Sequence, residues 1–187
     1  MPLDVPVVLQ PFGSSSCVPT CVYAVLRAFE ADETAENGDT EREDDEDDEA
    51  EQARRDEVSE LCEETELGCD LDTVITGLKQ GGYDADWFPS RGKSLPDALK
   101  LLRDSVMDPD DPQPVIVSLQ TDIRSADDHA VVVRRFLGNR NNTTGLEPMV
   151  ELMDPDHSRG GIRKLSLQEF GRQWNFAGQR AFTVRPG

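Results

Sequence analysis

The first half of the chain carries apolar residues at intervals of three and four positions, the spacing of one face of a helix. The first stripe consists of Val18, Cys21, Val22, Val25, Leu26 and Phe29. A second stripe over residues 70–80 ends at a Gly-Gly pair, which is a common helix stop, and a shorter one covers residues 58–62. Ser94 and Ser166 each precede an acidic residue by three positions, so they predict two further helix starts.

Further along the chain, short apolar runs predict β-strands, and residues 5–10 predict a short strand or an extended arm. The runs occupy about residues 83–88, 114–119, 130–137, 146–153 and 180–184. Residues 138–145 predict the turn between the third and fourth of these strands. The order of helices followed by antiparallel strands, with one late helix, predicts an α+β fold in which N-terminal helices pack on an antiparallel sheet.

Charge is concentrated in one part of the chain. The net charge is −19, and the segment from Glu30 to Glu57 alone holds 16 acidic residues against three arginines. Such a segment buries too little apolar surface to offset the entropy of ordering it. We therefore predict a single domain over residues 1–187, with a disordered acidic insertion at about 31–56.

The composition also favours some cellular environments and partners over others. Asp is abundant outside the acidic segment and the whole chain has only four lysines, as in proteins of salt-loving organisms. An acidic surface argues against a nucleic-acid partner, because phosphates need a basic face. We find no apolar run long enough for a membrane span and no signal peptide, so we expect a cytoplasmic protein with reduced thiols.

Cys17 stands at the predicted start of the first helix, and Pro19 fixes that start, because proline is tolerated in a first turn but not in a helix interior. The unpaired N–H groups of a helix start favour an anion, which lowers the pKa of a thiol and yields the reactive thiolate. Cys21 lies one turn further along the apolar stripe and is predicted to be a core residue. The alternative for Cys17 is a buried, inert thiol.

His129 and Asp154 are the candidates for a base and an orienting carboxylate. If the turn is centred between Asn141 and Asn142, residues whose numbers sum to 283 lie opposite each other across the two strands, and these two residues do. Opposed residues have Cβ atoms about 5 Å apart, which is within reach of a hydrogen bond between their side chains. The competing groups near them in the sequence are Asp127, Asp128, Asp156 and His157.

A metal site is the rival interpretation of these residue types. The chain's four cysteines are Cys17, Cys21, Cys62 and Cys69. Their spacing does not match the short Cys-x2–4-Cys pairs of structural zinc sites. We therefore predict neither a metal nor a cofactor.

Motifs spread over most of the chain resemble the C39 peptidase family, a group of papain-like cysteine proteases. Gln10 followed by Ser-Ser-Cys-Val-Pro-Thr-Cys at 15–21 is similar to the family's glutamine and its Asp-Cys-Gly-Pro-x-Cys helix start. Further similar segments are 58–68, 71–82, 114–119, 129–133, 152–155 and 165–174. The resemblance implies that Cys17 is the nucleophile, His129 the base, Asp154 the orienting group and Gln10 a donor to the oxyanion hole.

These expectations define a cysteine peptidase that acts on a peptide or protein substrate. Two departures from the family motif, Ser16 in place of Asp and Val18 in place of Gly, leave open a catalytically inactive peptide-binding module. A papain-like amidase or acyltransferase would use the same residues. The sequence gives no prediction of the oligomeric state.

Overall fold

The computed structural model describes residues 2–11, 14–36, 48–63, 69–121, 128–138, 147–159 and 161–187. Its helices are α1 (Cys17–Glu36), α2 (Asp48–Leu61), α3 (Leu71–Gln80), α4 (Leu95–Val106) and α5 (Leu167–Phe176), and His157–Arg159 form a short 3-10 turn. Its strands are β1 (Asp84–Trp87), β2 (Val115–Leu119), β3 (His129–Leu137), β4 (Met149–Met153), β5 (Ile162–Ser166) and β6 (Ala181–Arg185).

The six strands form one antiparallel sheet in the order β1-β6-β2-β3-β4-β5. Helices cover both of its faces, and β3 shows how. Ala130 and Val132 belong to the apolar cluster that includes α1, whereas Val131 and Val133 belong to the cluster on the other face with α4 and α5. A strand that is buried on both faces has an unbroken apolar sequence rather than an alternating one. The predicted α+β fold is confirmed.

Side-chain caps begin three helices close to their predicted positions. Asp70 accepts hydrogen bonds from the backbone N–H groups of Asp72 and Thr73 at the start of α3. Ser94 and Ser166 do the same for α4 and α5, each through the N–H group three residues on. Each of these bonds satisfies an N–H group that has no partner within the helix itself.

The predicted disordered tract at 31–56 differs from the structure at both of its ends, and residues 37–47 lie outside the described part of the chain. Helix α1 runs on to Glu36, and α2 already begins at Asp48. Polar contacts hold α2 against α1: Arg54 pairs with Glu30, and the Arg55 guanidinium lies 5.1 Å from the centre of the Tyr23 ring. The spacing of apolar residues carries no information about polar contacts of this kind.

Two further differences concern weakly patterned segments. Strand β5 was not predicted, because its residues are half-exposed and carry no regular alternation. Residues 5–10 form no strand in the structure; they belong to the N-terminal arm, residues 2–11, in which Val5 is fully buried. Most of the predicted turn, residues 139–145, lies outside the described residues.

Candidate active site

Cys17 is the first residue of α1, with Pro19 in the first turn, as the sequence predicted. The thiol is half-buried, at the end of the helix that carries unpaired N–H groups. Its sulfur accepts hydrogen bonds from the backbone N–H groups of Val18 and Ala130. The start of α1 and the start of β3 therefore meet at this sulfur.

His129 and Asp154 are in direct contact. Nε2 of His129 donates to Oδ1 of Asp154 over 2.6 Å, and the carboxylate is completely buried. The predicted strand register is nevertheless wrong by two residues, because Val132 pairs with Met153 and the sum is 285. An even shift keeps both side chains on the same side of the sheet, and diagonal neighbours remain within reach of each other.

The other ring nitrogen of His129 is directed to Cys17. The structure has a hydrogen bond between the thiol and the imidazole. Since Nε2 is bound to Asp154, Nδ1 is the nitrogen that remains for the sulfur. The three groups form a continuous chain of hydrogen bonds from carboxylate to ring to sulfur.

The electrostatics of this chain favour an ion pair. Burial by itself raises the pKa of the Cys17 thiol, but the hydrogen bonds from His129 and the Ala130 N–H outweigh it, and the pKa is lowered. For His129, burial lowers the pKa, yet the bonds to Asp154 and Cys17 raise it to about 9. The pKa of Asp154 is held below its usual value, because the His129 hydrogen bond overcomes the effect of burial. The lowered pKa of the thiol and the raised pKa of the imidazole both favour the thiolate–imidazolium pair over the neutral pair.

Cys21 behaves differently, as predicted for a core residue. It is fully buried, and burial raises the pKa of its thiol well above the usual value, with the negative charges of Cys17 and Asp154 adding to the effect. A thiol of this kind stays protonated and unreactive.

Gln10 is tied to the same region. Its backbone N–H donates to the carbonyl of Pro155 over 2.9 Å, which fastens the N-terminal arm to the turn after Asp154. Its side-chain Nε2 donates to the Ser14 carbonyl over 2.8 Å. One side-chain N–H is thus engaged, and the role of Gln10 at an oxyanion stays a prediction.

The competing residues have other partners. Asp128 pairs with Arg180, and Asp127 lies outside the described residues. Asp156 accepts from the N–H and hydroxyl of Ser158, which stabilises the turn. His157 is exposed in the 3-10 turn.

Sequence reasoning missed two arginines beside the carboxylate. Nη1 of Arg159 lies 3.6 Å from Oδ2 of Asp154, and Nη1 of Arg163 lies 3.5 Å from the same oxygen. Both belong to the segment that folds back after the Asp154-Pro155 turn, Arg159 in the 3-10 turn and Arg163 in β5. Basic residues a few positions beyond a candidate catalytic aspartate were the available signal.

Within the described residues, no three His, Cys, Asp or Glu side chains gather into a group suited to holding a metal ion. No helix of the described part of the chain has both the length and the apolar character needed to cross a membrane.

Several solved structures are similar to this one. The peptidase domain of Streptococcus ComA, a bifunctional ABC transporter involved in quorum sensing, aligns with a TM-score of 0.58 at 18% identity, over 98% of this chain and 100% of that domain. A double glycine motif protease from an AMS/PCAT transporter, in complex with the leader peptide, aligns with a TM-score of 0.54 at 18% identity, over 100% and 94%. The Streptococcus mutans ComA peptidase domain gives 0.54 at 15% identity, over 96% and 98%.

The chain has the fold of these peptidase domains. The sequence motifs predicted a fold of this kind. No protein-family model and no curated protein matches the sequence. The suggested origin in a salt-loving organism has no support from these similarities and stays a prediction.

Proposed function

We propose that the protein is a cysteine peptidase that hydrolyses peptide bonds with Cys17 as nucleophile. The observation that carries the proposal is the hydrogen-bonded chain from Asp154 through His129 to Cys17. A carboxylate that orients a base, which in turn activates a nucleophile, is the arrangement that catalytic triads share. One of the similar structures is a protease in complex with a leader peptide, which supports a peptide as the class of substrate.

The first half of the reaction follows from the ion pair. The Cys17 thiolate attacks the carbonyl carbon of the scissile bond, and the electrons of the C=O bond move onto the oxygen. The Cys17 backbone N–H at the helix start, with Gln10, would stabilise that oxyanion. When the intermediate collapses, the C–N bond breaks and the His129 imidazolium gives its proton to the departing amine.

The second half releases the product. Neutral His129 takes a proton from a water molecule, whose oxygen attacks the carbonyl carbon of the thioester. The C–S bond then breaks, the acid product leaves, and the thiolate and imidazolium are restored. Asp154 remains a carboxylate throughout and keeps Nε2 of the ring bound, so that Nδ1 faces the sulfur.

The test is alkylation of Cys17 by iodoacetamide near neutral pH, followed by mass spectrometry of each cysteine. We expect rapid modification of Cys17 and about ten- to hundredfold slower modification in His129→Ala, since the thiol then reverts toward its ordinary pKa. His157→Ala is the matched control, because it removes the protein's other histidine. We also expect cleavage of a mixture of fluorogenic peptides by the unaltered protein and none by Cys17→Ala. Slow modification of Cys17 at the same rate in the unaltered protein, His129→Ala and His157→Ala would contradict the proposal.

A further inference from the structure

The carboxylate of Asp154 has two oxygens with different partners. Oδ1 accepts from His129 and from the Asp156 backbone N–H, the latter over 3.1 Å. Oδ2 is buried and has no hydrogen-bond partner among the described residues, yet it faces the guanidinium groups of Arg159 and Arg163. At 3.5 and 3.6 Å these contacts are electrostatic rather than hydrogen-bonded.

We propose that Arg159 and Arg163 are positioning residues that partly neutralise Asp154 and thereby limit how tightly His129 holds its proton. The inference deepens the proposed function and rests on it, because it concerns the same three residues. Arginine suits this task, since its guanidinium keeps its charge at every pH a protein experiences.

The physical reason lies in the balance of charge at a buried site. A fully buried carboxylate that faced only the imidazole would stabilise the imidazolium strongly, because little solvent screens the pair. A base that cannot release its proton cannot protonate the leaving amine, since catalysis needs a proton affinity matched to the working pH. Two fixed positive charges on the opposite oxygen reduce the field of the carboxylate at the ring.

The two arginines do not contribute equally. Arg159 also approaches Asp156, its Nε lying 3.4 Å from Oδ2 of that residue, so part of its charge is compensated there. Arg163 lies on β5, and its Nη1 is buried without a hydrogen-bond partner in the described part of the chain. We therefore expect Arg163 to have the larger effect.

Other titratable and charged groups also face this centre and must be kept constant in a test. They are Cys17 and Cys21 of α1, Asp156 of the turn, the Asp128–Arg180 pair beside His129, and Glu169 of α5, which interacts with Arg163 over a longer range. None of them changes in the variants below.

The experiment measures the titration of the His129 ring by NMR in a His157→Gln background, where it is the only histidine. We expect the His129 pKa, about 9 in the parent, to rise by about one unit in Arg163→Gln, since removing one opposite charge near a carboxylate has an effect of that order. Arg159→Gln should give a smaller rise, and Arg163→Lys should restore most of the parent value. Arg172→Gln is the matched control, because Arg172 is exposed and pairs with Glu169.

A second measurement separates this inference from the proposed function. The rate of Cys17 alkylation against pH should have a basic limb that moves upward with the NMR titration. Circular dichroism and thermal melting establish that each variant is folded, and Arg159→Gln carries the test if Arg163→Gln does not fold. An unshifted or lowered His129 titration in folded Arg163→Gln or Arg159→Gln would overturn the inference, even with a reactive Cys17. An unreactive Cys17 would instead defeat the proposed function, while the ring titration still reports on the arginines.

Discussion

Two buried carboxylates, Glu151 in the middle of β4 and Asp154 just after its end, have different partners, and the difference separates a structural anchor from a candidate active-site residue. Both are almost without solvent exposure, and both have a lowered pKa despite burial. The partners of Glu151 are three residues that are all cationic at neutral pH: Arg134, Arg135 and Lys164. The main partner of Asp154 is the titratable ring of His129.

The contacts around Glu151 show how its charge is neutralised without a partner that titrates near neutral pH. The pairing of β3 with β4 is irregular between Val133 and Arg135, and both Arg134 and Arg135 reach the same carboxylate. Arg134 also binds Asp4 of the N-terminal arm. Glu151 therefore links β3, β5 and the N-terminal arm, whereas Asp154 binds the ring that we propose exchanges its proton. Burial alone does not distinguish the two residues.

The largest expected effect is on activity, and it tests the different roles assigned to Asp154 and Glu151. Asp154→Asn should lower kcat/KM for peptide hydrolysis by about 10³- to 10⁴-fold, the loss expected when the orienting carboxylate of a triad becomes an amide. Glu151→Gln, three residues away, should stay within about twofold, as expected of a group outside the reacting chain. Equal losses in the two variants would show that Asp154 acts only as a structural anchor.

The next largest expected effect is on stability, and it tests the anchoring role of Glu151. Removing one partner of a buried ion pair costs about 3–5 kcal/mol, but Arg135 and Lys164 have side chains 51% and 53% exposed and can turn to water. We therefore expect Glu151→Gln to reduce the free energy of unfolding by about 2 kcal/mol, as measured by urea denaturation. Glu151→Asp is the control that keeps the charge but shortens its reach. No loss in either variant would contradict the anchoring role.

A third effect sharpens the comparison through pH. The raised pKa of His129 contributes stability that is complete below about 6.5 and is lost as pH rises through about 9. The lowered pKa of Glu151 contributes stability that is present above about 4.5 and is lost as pH falls further. Melting temperature should thus decline on the alkaline side in the parent and less in Asp154→Asn, whereas Glu151→Gln should alter only the acid side. An alkaline decline that is identical in all three proteins would contradict this assignment.

The smallest expected effect comes from a substitution that should not alter either carboxylate. Ser166→Ala removes the cap of α5, which should cost about 1 kcal/mol of stability. Ser166→Asn is the control, because its side chain can also cap a helix. Alkylation of Cys17 should be unchanged in both variants, and a changed rate would show that α5 and the site are coupled.

Local chemistry made part of this structure predictable. Pro19 located the start of α1 and hence Cys17, and serine caps located α4 and α5, because these signals act within a few residues. The register of β3 against β4 was not predictable, since it depends on the irregularity near Arg134 and on the connection between the strands. The contact of His129 with Asp154 was expected for an incorrect register, and it survives because the error is an even number of residues.

Other parts depend on contacts between distant segments. The packing of α2 rests on pairs such as Arg54 with Glu30, which have no periodic signature. The approach of Arg159 and Arg163 to Asp154 requires the chain to reverse after the turn and form β5. Composition indicates that such charges exist but does not show which ones meet.

Helix α1 has 20 residues, with the candidate nucleophile at one end and Glu36 at the other. At 1.5 Å per residue these ends are separated by roughly 28 Å along the axis. The Debye length at physiological ionic strength is about 8 Å, so a charge at the Glu36 end has almost no influence on the sulfur through solvent. Substitutions that change the charge at this end of α1 can therefore accumulate over evolution without altering the proton chemistry of the thiol.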